Sequence, residues 1–312
     1  MLLSRVAESL YWAARYLERA EDTARIVLQH TNLMVDIPGS VPVGWDALLA
    51  ILGDPDVDHG DVDHGMTDEV GIVGYLTCDS RNPSSIVASV AAARENLRTT
   101  REVIPRAAWQ AVNDLYLYVG GRNSDAVPRF SRTQYLSHVV GEAQRIVGIL
   151  AGTMSRDAAY SLLRLGRNIE RADMTTRVLD VRACSLIGGE GAFDDIQWVA
   201  VLQSLSALQM YRRATRAPLD SHSVVRFCLQ AREFPRSVAH CLGEVEQCLV
   251  VLPERAAVRS VCEMAAAEVA TLAIDDVSGA HLHTLIDGLQ RAIGDIHLQV
   301  ANGYFRVEER VP

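Results

Sequence analysis

Lysine is absent from all 312 positions, so every one of the 30 basic residues is an arginine. That absence removes Schiff-base chemistry, a P-loop lysine and a lysine general base, because each needs a primary amine. No uninterrupted apolar run reaches the roughly 18 residues of a spanning helix. Arg5 and Glu8 interrupt what would be the apolar core of a signal peptide. A soluble, cytoplasmic protein that does not engage a membrane is expected. The six cysteines (Cys78, Cys184, Cys228, Cys241, Cys248 and Cys262) form no CxxC pair, which fits buried thiols in a reducing compartment better than a disulfide frame.

Signatures of metal and nucleophilic chemistry are missing too. His30, His138, His222, His240, His281, His283 and His297 make no HExxH or helical ExxH pairing, so neither a zincin nor a di-iron bundle is expected. The tandem DVDHGDVDHG at 56–65, with His59 and His64, lacks the glycine placement and terminal glutamate of a calcium loop; it reads first as a mobile acidic loop, with weak binding of a divalent ion as the alternative. GxSxG and GxGxxG are absent, and no Cys/His or Ser/His spacing nominates a nucleophile. No metal or cofactor is expected. The 39 acidic residues against 30 basic leave a net charge of −9, which argues against a nucleic-acid surface while leaving room for a local anion site.

What the chain does contain is helix-forming sequence. Ala, Leu, Val, Arg, Glu and Gln recur at helical spacing and alternating strand patterns are nearly absent, so the fold class is all-α. Helices are predicted over 2–31, 43–52, 82–104, 106–119, 131–152, 156–186, 194–216, 221–231, 235–252, 255–274 and 278–303. Breaks fall at 53–69, 120–130 and 187–191.

The chain also resembles itself. RYLERAEDTAR, Arg15 to Arg25, returns as RNIERADMTTR, Arg167 to Arg177, with six of eleven positions identical at an offset of 152. Tyr75, Pro83 and Ser85 meet Phe227, Pro235 and Ser237 at the same offset, and Trp45 meets Trp198 at 153. A helical bundle of two duplicated halves, 1–152 and 153–312, packed as one unit about a pseudo-twofold axis, is the expected architecture.

These segments carry a family resemblance. SLYWAARYLERAEDTARI, GTMSRDAAYSLLRLGRNIERADMTTRVLDV and the FPRSV segment resemble the bacterial Alpha-E family, also called DUF403, over essentially the whole chain. The resemblance implies a helical protein that works with ATP-grasp ligase-like and transglutaminase-like partners, with no established activity of its own. Met174 follows the ERAD of the second motif where an acidic or polar residue is usual in the family, and Asn168 stands where an aromatic is usual. Half two is therefore expected to be the less active half of any shared site.

On a helical wheel, Leu10, Ala13, Leu17, Ala20, Ala24, Val27 and Leu28 form the core face. Arg15, Glu18, Arg19, Asp22 and Arg25 form a charged stripe on the other side, repeated by Arg167, Glu170, Arg171 and Arg177. Two readings are open: a solvated face laced by ion pairs, or an inter-helix polar network or anion site built on arginine forks. The NPSS and FPRS segments read as helix starts, with Asn82 as cap and Ser84 and Ser85 in the first turn, and Arg236 and Ser237 in the corresponding place. Free N–H groups there suit anions. Arg94 and Arg98 extend the charge behind the first. The functional expectation is a non-enzymatic binding or scaffold protein with an Arg/Glu-lined groove for an acidic peptide or anion. The alternative is an enzyme on amino-acid or peptide substrates, with Glu18 or Glu170 as general acid/base.

Overall fold

The computed structural model describes residues 4–38, 43–53, 68–187, 193–215, 219–275 and 277–306, and these are all-α. The tandem Asp/His stretch at 56–65 lies outside the described residues. Among the described residues, no helix is long and apolar enough to cross a membrane.

The first helix, α1 (Ser4–Asp36), runs for 33 residues because no glycine or proline interrupts it until Pro38, whose ring disfavours helix in the residue before it. It is followed by α2 (Asp46–Leu52), α3 (Glu69–Thr77), α4 (Ile86–Thr99), α5 (Arg106–Gly121) and α6 (Arg129–Thr153). The second long helix, α7 (Ala158–Val178), starts on the side chain of Asp157, which accepts from the N–H groups of Ala159 and Tyr160. It passes through a π turn (Leu179–Ala183) into α8 (Cys184–Leu186). Then come α9 (Asp194–Ser204), α10 (Leu208–Thr215), α11 (Ser221–Gln230), α12 (Val238–Val251), α13 (Ala256–Thr271) and α14 (Gly279–Val300).

Helices α1 and α7 form the centre. α1 packs on α7, α4 and α6, while α7 packs on α1, α12 and α14; α5 and α13 complete the outer layers. One buried apolar cluster runs from Ala7 through both halves to Val300. The two central helices come into close contact at Gly166, where a Cβ would lie 2.3 Å from the carbonyl oxygen of Tyr11, so only glycine fits.

Several expectations need correction. The helix expected over 194–216 is two, broken at Ser206, which adopts a left-handed φ of 54°. α3 was not expected, since Gly71, Gly74 and the β-branched Val70, Ile72 and Val73 disfavour helix. It forms because Asp68 caps it through Gly71 N–H at 2.8 Å and because Glu69 in its first turn accepts from the buried Arg132 at 2.7 Å. The caps at NPSS and FPRS sit later than expected: Ser85 and Ser237, not Asn82, receive the N–H groups of Ala88 and His240, each at 3.1 Å.

The order of helices after α1 recurs after α7. The starts of α3 and α11, and of α4 and α12, are 152 apart, as are their capping residues, Asp68 with Asp220 and Ser85 with Ser237. α10 has no counterpart among the described residues, since the positions 152 before it, 56–63, lie outside them. The correspondence is one of order, offset and capping, and a duplication of the chain is a proposal that rests on it.

Candidate functional site

The charged stripe is not solvated. Burial reaches round α1, and Glu18, Asp22 and Glu170 are only 2%, 2% and 1% exposed. The stripe faces α7, where each Glu-Arg motif pairs with the other. Arg171 grips Glu18 in two-point fashion, from Nε to Oε1 at 2.7 Å and from Nη2 to Oε2 at 2.9 Å. Reciprocally, Arg19 Nε donates to Oε1 of Glu170 at 2.5 Å and Arg15 Nε to its Oε2 at 2.6 Å. Arg15 is further held against Tyr11, whose hydroxyl is 2.8 Å from Nδ1 of His297 on α14.

A fourth arginine closes one side of this crossing. Arg236, just before α12, reaches in from FPRS and donates to Glu18 at 2.7 Å, Asp22 at 2.8 Å and Glu21 at 2.6 Å. Arg25 binds Glu21 and Asp22 from the other direction, and its Nε donates to the Ser204 carbonyl at 2.9 Å. Thr175 fastens the clasp by donating to the carbonyl of Arg236 at 2.8 Å.

The electrostatics follow from this enclosure. Burial acts to raise the Glu18 carboxyl, but Arg171 and Arg236 outweigh it and hold it well below the usual carboxylate range. Burial opposes ionisation of Glu170 as well, yet Arg15 and Arg19 bring it down to about 2. Asp22 goes the other way. Burial pushes it up to about 6 despite Arg25 and Arg236, with Glu18 and Glu21 adding like-charge repulsion, and its Oδ2 has no partner among the described residues.

The opposite side of the crossing, against α4, has the same frame and no closing arginine. Ser84 stands 152 before Arg236, and Met174 stands 152 after Asp22. Thr23, the counterpart of Thr175, is buried and its hydroxyl has no partner among the described residues. Between them lies a cavity of about 580 Å³ lined by Trp12, Tyr16, Arg19, Thr23, Leu52, Ser84, Ala88, Glu170, Asp173, Met174 and Arg177. That volume is in the range of ordinary small-ligand sites. Arg19 and Arg177 each commit Nε to a carboxylate, Arg177 to Asp173 at 2.9 Å, and leave their terminal nitrogens without a partner among the described residues. A neighbouring cavity of about 490 Å³, lined by Arg15, Asp173, Arg177, Asp287, Arg291 and His297, shares the Asp173–Arg177 pair.

The structure therefore gathers Arg15, Glu18, Arg19, Asp22, Arg25, Glu170, Arg171 and Arg236 at the crossing and places Ser84 and Arg177 at its open side. Arg167, the counterpart of Arg15, is left with an unpartnered buried Nε because Glu18 is already taken. Other candidates lie elsewhere. Asn82 shapes the turn before α4 through Ser84 N–H and the Tyr75 carbonyl. Ser85 and Ser237 are caps. Arg94 joins α4 to Asn113 of α5 and lies over Trp109 and Tyr116. Arg98 pairs with Glu95 on an exposed face. Glu21, Thr23, Thr175 and Asp173 belong to the site and were missed. The shared threonine of the two ERA segments was the signal in the sequence that could have found the second and third. Met174, expected to mark the less active half, lines the open cavity.

The family model named Alpha-E, "A predicted alpha-helical domain with a conserved ER motif", matches residues 2–305. An uncharacterized protein of Mycobacterium bovis is 24% identical over 270 residues, covering 80% of this chain and 30% of that protein. An uncharacterized protein of Mycobacterium tuberculosis is 23% identical over the same length and with the same coverage. The chain thus spans about a third of the length of these relatives. No solved structure matches.

Proposed function

The chain belongs to the Alpha-E family, and from that premise we propose that it is a non-enzymatic binding protein whose cavity between α1, α7 and α4 takes an acidic peptide or another anion. The observation that carries this reading is the unclosed clasp. Arg19 and Arg177 offer terminal N–H groups, and Thr23 a buried, unspent hydroxyl, to one cavity that also holds Ser84. Guanidinium forks and hydroxyls are donors suited to carboxylate or phosphate oxygens. Within a chain of net charge −9, the two arginines of this cavity, Arg19 and Arg177, fully balance its two carboxylates, Glu170 and Asp173, and Arg15 pairs with Glu170 from behind.

The enzymatic alternative gains one feature, since Glu170 sits beside an apolar wall of Trp12, Leu52 and Met174. It loses on chemistry. Both oxygens of Glu170 accept from arginines and the carboxyl is held near 2, so it is a weak base and carries no proton to donate at neutral pH. Glu18 is held lower still by Arg171 and Arg236. An ATP-grasp ligase-like partner, with a transglutaminase-like one beside it in the cytoplasm, is part of the proposal on the strength of the family resemblance alone.

Calorimetric titration of the full chain with tetraglutamate and with inorganic phosphate tests the reading. Saturable binding is expected that weakens with salt and is reduced at least about tenfold by Arg177→Ala, while Arg98→Ala, on an exposed face, leaves it unchanged. Absence of saturable binding of both probes, or equal binding by Arg177→Ala, would overturn it.

A further inference from the structure

A second cluster lies away from the crossing, where α7 gives way to its π turn. Such turns interrupt α-helices preferentially at functional positions. Asp180 stands in this turn and Cys184 directly follows it. The start of α14 is drawn against them at Gly279, where a Cβ would lie 2.2 Å from the Cys184 carbonyl oxygen. One turn further along, His283 comes within reach of both side chains. Its Nδ1 is 2.5 Å from Oδ1 of Asp180, and Sγ of Cys184 lies 3.7 Å from that same oxygen.

We propose that Asp180, Cys184 and His283 form a binding site for a thiophilic divalent transition metal of the zinc class, with solvent completing a tetrahedron. The three donor atoms all lie within 4.8 Å of one another. Ligands of a tetrahedral zinc are separated by roughly 3.3–3.6 Å, given metal–ligand bonds of about 2.0–2.3 Å. Small side-chain rotations therefore suffice. Two protons, the thiol S–H and the imidazole Nδ1–H, now converge on one carboxylate oxygen, and a single dication would take the place of both. As the metal enters, the thiol proton leaves to solvent and the imidazole proton is relocated from Nδ1 to Nε2, so thiolate, carboxylate and neutral imidazole contribute a charge of −2 that balances the ion. The remaining ring nitrogen is provided for. Nε2 of His283 faces Oδ2 of Asp287 at 3.7 Å, the outer carboxylate that commonly orients a metal-bound imidazole. Asp and Cys with His form a mixed donor set that suits zinc or cobalt and is a poor match for calcium or magnesium, which take oxygen ligands.

Titration of the reduced, chelator-treated full chain with Co(II) reads the site directly. One equivalent is expected to raise a thiolate-to-cobalt charge-transfer band with the visible bands of tetrahedral cobalt, and Zn(II) is expected to displace it. Cys184→Ser should abolish the charge-transfer band while the other five cysteines remain. His283→Ala, at an exposed position where folding is not at risk, should weaken binding at least about tenfold, and Asp287→Asn about 10- to 100-fold. The proposal is overturned if the wild-type protein gives no charge-transfer band, if the band persists in Cys184→Ser, or if His283→Ala binds cobalt as tightly as wild type. Should Cys184→Ser fail to fold by its thermal melt, His283→Ala alone decides.

Discussion

Replacing Arg236 by serine would give the α12 side of the crossing the residue that the α4 side already has. The change removes three charge-assisted hydrogen bonds of 2.6–2.8 Å. It does not strand all three carboxylates equally. Glu18 keeps the two-point grip of Arg171, and Glu21 keeps Arg25 and Gln144, whereas Asp22 keeps only Arg25. Breaking a buried pair by deleting one partner costs about 3–5 kcal/mol. Here protonation limits the electrostatic share. Asp22 already titrates near 6, and loss of a cation raises it further, so neutralising it at pH 7 costs no more than about 1.4 kcal/mol. Lost hydrogen bonds and packing bring the expected total to about 3 kcal/mol.

The companion change is Asp22→Met, which copies Met174. The double variant Asp22→Met/Arg236→Ser removes the acid together with its partner, so it should be more stable than the sum of the single costs predicts by at least about 1 kcal/mol. Urea unfolding at constant m reads both values. The pH dependence supplies a further check. Where Asp22 is protonated in both proteins the missing cation matters less, so the cost of Arg236→Ser should be smaller at pH 5.5 than at pH 8. A cost below about 1 kcal/mol, or additivity of the two changes within about 0.5 kcal/mol, would refute the account of Arg236 as the counter-charge to a buried acid.

Two other outcomes follow from the same geometry. Glu170 is depressed from 4.5 to about 2, so the unfolded chain binds the extra proton as pH falls. Its contribution of up to about 3 kcal/mol is fully present above pH 4.5 and is lost between there and about pH 2. Stability measured against pH should therefore fall more gently in Glu170→Gln across that window than in wild type, and parallel slopes would contradict the assignment. Gly166→Ala should cost at least about 2 kcal/mol by pushing α1 from α7, whereas Gly148→Ala, in an exposed helical position with open space at its Cβ, should stabilise by about 0.5–1 kcal/mol. Thermal melts that rank the two the other way would show that the Tyr11 contact does not set the crossing.

The all-α class and most helix positions were legible because periodicity of apolar residues survives wherever a helix has one wet face. The misreadings have local causes. α3 forms against its own glycines because Asp68 caps it and Arg132, buried on α6, pairs with Glu69 at its start; that partner is 63 residues away and no short-range pattern reports it. The break at Ser206 lies in a stretch, 194–216, that contains neither glycine nor proline, so no strong breaker marks it. A helical wheel gave the direction of the α1 stripe correctly but not what lies opposite. The same arginines and glutamates would serve as a solvated face in a shorter bundle, and here α7 covers them. Asp180, Cys184 and His283 escaped for the same reason, since about 100 residues separate the histidine from the others.

The difference between the two sides of the crossing was nonetheless present in the sequence, in two pairs of positions read singly. Asp22 against Met174 looks like decay of the second motif, and Arg236 against Ser84 looks like an incidental change at a helix start. Geometry makes each pair the reason for the other. A buried acid at 22 requires the cation that Arg236 supplies, and the cation then fills the space. Methionine at 174 asks for no counter-ion, serine at 84 supplies none, and the space stays open with Thr23, Arg19 and Arg177 around it. Restoring an acid by Met174→Asp would set a carboxylate beside Arg19 and Arg177 and take up their terminal N–H groups, whereas methionine leaves those donors and the Thr23 hydroxyl available to an anion. The departure from the family pattern at Met174 is thus better read as what keeps one clasp available to a ligand than as the loss of a site.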